Sequence, residues 1–301
     1  MNTPLSSTFF SAPPDWGWLV TLYFFIGGLA GGCYFIAVMI DLFGSPTDRP
    51  LARLGYYISF PCIVLSGILL TLDLHRPLRF WHMLIESNTF RPMFKPWSPM
   101  SFGSWALTIF GLFSLIAFVS ALSEEGRIDW PRARMWRPPA PLGAAISIIG
   151  ALLAFFVAGY TGVLLAVTNR PIWSDSPLLG MLFVISAASI SASLMLLLAH
   201  RSRWTTPGVS ALHRMDGWVV LLELIVLIVF LISLGPVFRA LLNAWGVLLF
   251  LGTIVLGMLI PLALFWRRDL LGESNVVGIA LLVLIGGFLL RLIIVFSAQG
   301  V

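Results

Sequence analysis

A chain of 301 residues that is 59% hydrophobic and only 10% charged, with a mean hydropathy of +0.97, carries more apolar surface than a soluble core of that size can hide. The net charge of +5 does not point to nucleic acid, because the basic residues lie between apolar runs rather than in one patch. Cys33 and Cys62 both sit inside apolar runs and read as packing residues, and two thiols fall short of the roughly four that an iron–sulfur cluster needs.

Eight apolar runs follow in order, at 17–43, 54–74, 102–122, 142–168, 178–199, 218–236, 244–266 and 276–297. At 1.5 Å per residue each crosses a hydrocarbon core of ~30 Å as a helix, whereas a barrel would show alternating segments of about ten residues. The expected fold class is an all-α integral membrane protein, a single polytopic domain over 1–301. Residues 1–16 hold no Lys or Arg, and the first run exceeds a signal-peptide core, so it reads as a true first helix.

The first run carries Tyr23 near its start, Gly27, Gly28, Gly31 and Gly32 for close helix approach, and Asp41 near its end. The second contains Pro61, a predicted kink, and ends at Asp73, His75 and Arg76. The 75–101 connection holds four prolines with Trp81 and Trp97, which predicts an ordered surface. Arg79, Trp81, His82 and Trp97 are its candidate partner-docking residues; its tryptophans fit interfacial anchoring equally well. The 123–141 connection is also proline-rich. The fourth run carries Tyr160 and ends at Asn169 and Arg170. Glu223 lies in the sixth run, Pro261 in the seventh and Arg291 in the eighth.

Because the connections alternate sides, one face receives eleven arginines (Arg49, Arg53, Arg127, Arg132, Arg134, Arg137, Arg201, Arg203, Arg214, Arg267 and Arg268). The other receives six basic residues, Arg76, Arg79, Arg91, Lys95, Arg170 and Arg239. The positive-inside rule places the first group in the cytoplasm and both termini outside.

A charge at bilayer depth costs roughly 2.5–3.5 kcal/mol on insertion scales, so Glu223 and Arg291 are functional candidates by position alone. Helix direction gathers Tyr23, Asp73, His75, Arg76, Tyr160, Asn169 and Arg291 toward the outer end. Such a layer offers donors to two carbonyl oxygens, a proton acceptor and apolar walls, which suit a quinone head group. With the sixth helix starting near Trp218, Glu223 falls ~15 Å from the level of Arg291, and no direct pair is expected. Glu223 and Asp41 instead read as the start of a proton path from the cytoplasm. Haem does not fit, since His75, His82, His200 and His213 all fall at helix ends or in loops.

Four segments resemble the NrfD/polysulfide reductase membrane-subunit family. They are Gly28-Leu-Ala-Gly-Gly32 with Asp41-Leu-Phe-Gly44; Asp73-Leu-His-Arg-Pro-Leu-Arg-Phe-Trp-His-Met83 with Ser98-Pro-Met-Ser-Phe-Gly-Ser-Trp105; Tyr160 through Trp173; and Leu290-Arg through Gln299. The resemblance implies two four-helix bundles without haem or metal, binding menaquinone or ubiquinone. It further implies exchange of electrons with an iron–sulfur subunit that serves a molybdopterin enzyme or a multihaem cytochrome, in a bacterial or archaeal inner membrane. Some members place a His about five residues before the glycine run; here Tyr23 stands there. Two other readings compete. One is a proton-coupled transporter of a small anion, with Arg291 binding substrate and Glu223 coupling protons. The other is a purely structural anchor for a surface enzyme.

Overall fold

The computed structural model describes residues 16–266 and 275–299. Eight helices in it are long and apolar enough to cross a membrane. They are α1 (Trp18–Phe43), α2 (Arg49–Asp73), α3 (Pro99–Glu124), α4 (Pro141–Ala166), α5 (Leu179–Arg201), α6 (Pro207–Ser233), α7 (Ala244–Trp266) and α8 (Asn275–Ser297). The Gln299 side chain donates to the carbonyl of Trp16 at 2.8 Å, so α1 begins and α8 ends at one face, here called the terminal face. The opposite, arginine-rich end is the basic face; Arg267 and Arg268 lie outside the described residues.

Proline at the first turn starts α2, α3, α4 and α6, where its missing N–H costs nothing and its fixed φ suits the helix. For α6 this moves the start from the expected Trp218 back to Pro207. The segment 207–217 contains His213, Arg214 and Asp216, which hid its helical character from a reading based on apolar runs. His213 therefore lies inside a helix rather than in a loop, its ring 4.8 Å from that of Phe265. The middle of α7, Leu249–Leu259, is π-helical and runs into Pro261. Proline cannot donate to the preceding turn and its ring crowds the carbonyl of Gly257, so the helix widens into π-turns just ahead of it.

Helices α1–α4 enclose one core, built on Tyr34, Tyr56, Phe110 and Val157. Helices α5–α8 enclose another, with Phe183, Ile190, Leu227 and Leu290. Helix α1 contacts α2, α4, α5 and α8, and so joins the two bundles. Its glycines permit this. A Cβ on Gly31 would sit 2.5 Å from the Ala154 carbonyl oxygen on α4, and one on Gly32 would stand 2.5 Å from the Ala187 carbonyl oxygen on α5. Without a hydrophobic drive between helices in lipid, such backbone approach is a main source of association.

At the basic face the first bundle is tied by a buried charge cluster. Arg137, in the α3–α4 connection, donates to both Asp41 carboxylate oxygens at 2.8–3.0 Å and to Glu124 at 2.7 Å. Its guanidinium lies 4.7 Å from the Tyr56 ring, and the Tyr56 hydroxyl donates to Asp41 at 2.9 Å. Burial alone would lower the Arg137 pKa, but the charges of Asp41 and Glu124 outweigh it and hold the group above its ordinary value. Arg49 and Arg53 pair with Glu124 around the rim, and Arg49 also donates to the Pro138 carbonyl. Removing one member of a fully desolvated pair leaves the other charge unmatched, at about 3–5 kcal/mol. Arg137→Ala is expected to lower the thermal midpoint of the detergent-purified protein sharply; a midpoint within a degree or so of wild type would contradict a structural role for this pair.

Candidate functional site

Toward the terminal face of the first bundle, Tyr23 on α1 and Tyr160 on α4 are both buried and lie within electrostatic reach of each other. The Tyr160 ring fits over Gly103 of α3, where any side chain would overlap it, and stacks on Phe156 at 5.6 Å. Its hydroxyl donates to the Pro99 carbonyl at 2.6 Å, leaving the oxygen lone pairs to accept. The Tyr23 ring edge and the Ser66 hydroxyl both flank Gly27, at 3.4 and 3.6 Å from where a Cβ would stand. Asp73 is half-buried at the end of α2, while His75 and Arg76 just beyond it are exposed, as is Asn169 after α4. The expected layer thus divides into two buried phenols and a rim of exposed or half-buried polar groups.

Arg291 belongs to the second bundle. It is 0% exposed, and its guanidinium is held from several sides. Nε donates to the Phe24 carbonyl at 3.1 Å, and Nη1 to the Ser186 hydroxyl at 3.0 Å and the Gly287 carbonyl at 2.8 Å. The Phe183 and Phe25 rings lie 5.2 and 5.9 Å away. It therefore approaches α1 one residue from Tyr23 but works inside the α1–α5–α8 junction.

The expected ~15 Å separation of Glu223 from Arg291 does not hold. Each residue lies sixteen positions into a helix that starts at the basic face, so the two share a level. Both approach Ser186, and each lies in the other's electrostatic field, without a direct ion pair among the described residues. The source of the error is the eleven-residue extension of α6.

The same extension brings in a group the apolar-run reading missed. Asp216 is fully buried and accepts from the Ser193 hydroxyl at 2.6 Å. It precedes Glu223 by seven residues, two turns on the same helix face. Ser186, Ser189 and Ser193 are spaced to line the facing side of α5, and all are buried. Asp216, Ser193, Ser189, Glu223, Ser186 and Arg291 form a polar file through an otherwise apolar bundle. Among the described residues, one Glu223 oxygen, Oε1, is buried without a hydrogen-bond partner, as is Oδ1 of Asp216. The i, i+7 carboxylates and the serine spacing were the signals available in the sequence. Asp41 is not part of this file, since it is held by Arg137 in the other bundle.

The 75–101 connection is an ordered structure on the terminal face. It contains the 3-10 turn Pro77–Met83 and a bridge between Ile85 and Pro92, and it is pinned by the Trp105 indole donating to the Met93 carbonyl at 2.9 Å. Trp81 and His82 are half-buried and pack edge to face at 3.9 Å. Leu78, Phe90 and Trp97 are 87%, 74% and 79% exposed, interleaved with exposed Arg76, Arg79, Arg91 and Lys95. Apolar and basic groups mixed in this way on an ordered surface suit a protein partner and the membrane interface alike.

The family model for polysulphide reductase, NrfD, matches residues 7–301. The C subunit of polysulfide reductase from Wolinella succinogenes is 29% identical, with 94% of both proteins covered. Protein NrfD of Escherichia coli is 25% identical over 94% of this chain and 95% of its own, and the NrfD homolog of Haemophilus influenzae 26% identical over 94% of each. With its eight helices and a match over nearly its whole length, the chain belongs to the NrfD/polysulphide reductase family of membrane subunits.

Proposed function

We propose that this chain exchanges electrons between a membrane quinone and a peripheral iron–sulfur subunit of a respiratory reductase. The observation that carries the reading is the pair of buried phenols, Tyr23 and Tyr160, at the face that also bears the ordered 75–101 surface. A quinone head group, menaquinone or ubiquinone, binds between them. Tyr160 accepts from a quinol hydroxyl while donating to Pro99, and Tyr23 contacts the second oxygen. Asp73, His75, Arg76 and Asn169 supply proton exchange and polarity at the rim. The electrons leave over Arg79, Trp81, His82 and Trp97 to the nearest cluster of the partner. That partner in turn serves a molybdopterin catalytic subunit or a multihaem cytochrome. This chain holds neither haem nor metal in the proposal. The complex lies in a bacterial or archaeal inner membrane, with both termini on the outer side.

Quinol-dependent reduction of the co-purified iron–sulfur partner tests this. Tyr160→Phe removes one hydrogen bond worth ~1–1.5 kcal/mol and is expected to slow the reaction about tenfold. An unchanged rate, or purified complex without bound quinone, would contradict the assignment.

The second-bundle file favours a further proton role for Glu223. Buried carboxylates with unpartnered oxygens, strung on hydroxyls beside a fixed cation, suit a relay rather than a packing role. Glu223→Gln is expected to leave quinol oxidation intact and to abolish any proton displacement across sealed vesicles beyond the quinol's own protons; undiminished displacement would remove Glu223 from any such path. Anion transport fits less well, because the carbonyls and hydroxyl around Arg291 already occupy the donors a substrate would need.

A further inference from the structure

Helices α6 and α7 touch near the basic face and part toward the terminal face. At the basic end the His213 and Phe265 rings lie 4.8 Å apart, and a Cβ on Gly217 would rest 3.6 Å from the Phe265 ring. At the other end the Ser233 hydroxyl donates to the Ser176 hydroxyl at 2.7 Å, which holds the end of α6 toward the α4–α5 connection. Gly235, with φ +52°, then turns the chain out of α6 in a conformation open to glycine. The 3-10 turn Gly235–Leu241 crosses toward α7 and roofs the opening. Beneath it lies a cavity of about 630 Å³, between Leu231 of α6 and the π-helical turns of α7.

The shape and lining of this cavity limit what can fill it. On α7 it runs from Gly246 to Ile254, a rise of roughly 12 Å. Half of a hydrocarbon core is ~15 Å, so the cavity stays within one leaflet. A partner's transmembrane helix, ~10–12 Å wide, would meet the roof on its way out of the bilayer, whereas a single lipid chain fits beneath it. Leu241 and Leu249 form a buried floor, and Phe250 and Leu251 exposed walls. Asn243 is the one polar residue of the described lining, and its amide is used within its own turn. Its Nδ2 donates to the Ala240 carbonyl at 3.0 Å, and its Oδ1 accepts from the Trp245 backbone N–H at 2.8 Å. The cavity therefore offers an occupant apolar contact alone. The roof supplies a charge. Arg239 stands between the lining residues Phe238 and Leu241, is exposed, and forms no ion pair among the described residues. A guanidinium matches phosphate through its paired N–H donors.

We infer that the α6–α7 cleft is a binding site for one anionic phospholipid, with an acyl chain in the cavity and the headgroup phosphate on Arg239. An occupant that is apolar over the depth of one leaflet and anionic at its interfacial end is what this lining and this charge select together. The chain stands in for the helix contact that α6 and α7 lack at this end. The lipid thereby supports α6, the helix that carries Asp216 and Glu223. The cleft shares no residue with the Tyr23–Tyr160 layer, and the inference does not rest on the quinone reading.

Native mass spectrometry of the purified complex, titrated with phosphatidylglycerol or phosphatidylcholine of equal chain length, tests this. Wild type is expected to bind its first phosphatidylglycerol about fivefold more tightly than a phosphatidylcholine, the worth of one arginine at an anionic headgroup. Arg239→Gln should abolish that preference and leave phosphatidylcholine binding unchanged. Leu251→Trp, which fills the cavity from an exposed position, should weaken the binding of both lipids. Arg239 stands on an exposed turn, so its variant keeps the test open even where Leu251→Trp fails to fold. Equal binding of the two lipids by wild type, a preference that survives Arg239→Gln, or a folded Leu251→Trp that binds both as wild type does would each overturn the site. Displacement of the bound phosphatidylglycerol by an equal concentration of a long-tailed quinone would overturn it too, assigning the cleft to a quinone tail. So would a wild-type complex that takes up neither lipid, which leaves the cleft to a partner subunit.

Discussion

A guanidinium at bilayer depth must be hydrogen-bonded from within the protein, and much of this architecture follows from how Arg291 meets that demand. Its partners come from three helices, a carbonyl of α1, a hydroxyl of α5 and a carbonyl of its own turn in α8. To reach Phe24 the guanidinium passes Gly28, where a Cβ would stand 3.1 Å from Nη2. The glycines of α1 therefore do two things at once. They let the α4 and α5 backbones close on α1 from either side, and they leave room for the charge that locks α1 to the second bundle. Replacing Gly28 or Gly32 by a larger residue would act on the bundle junction and on Arg291 together.

The junction also fixes the relation between the two polar systems. Tyr23 and Phe24 are adjacent, yet the first faces Ser66 and Tyr160 in one bundle while the carbonyl of the second receives Arg291 from the other. A change of charge or hydrogen bonding at the phenols is thus one peptide unit away from the Arg291–Ser186–Glu223 group. If quinone binds at the phenols as proposed, its chemistry has a short physical route to that carboxylate, through α1 itself rather than through bulk solvent.

Much of this was legible in the residues. Helix number follows from apolar runs alone, because a span must satisfy its own backbone and cannot be short. Tyr160, Asp73 and Arg291 stood out as polar groups at run ends or inside runs. What misled was the start of α6. Arg214 and Asp216 broke the apolar run, so Glu223 was read as shallow, and Asp216 was not read as a membrane carboxylate at all. Pro207 and the i, i+7 spacing of the two acids were the better guides. The Asp41–Arg137 pair was invisible for another reason, since it joins residues ninety-six apart, and no local pattern encodes such a contact. The π-turn in α7 likewise depends on packing; Gly257 and Gly286 approach so closely that a Cβ on the first would lie 2.5 Å from the Cα of the second.

The central claim is that the quinone sits in the first bundle, between Tyr23 and Tyr160, and not beside Arg291 in the second. Photo-crosslinking of the purified complex with an azido-quinone, followed by peptide mapping, tests it most directly. The account predicts label on α1 near Tyr23, on α4 near Tyr160 and on the end of α2 near Asp73, competed away by excess unlabelled quinone. Competable label concentrated on α6 and α8, around Glu223 and Arg291, would contradict it.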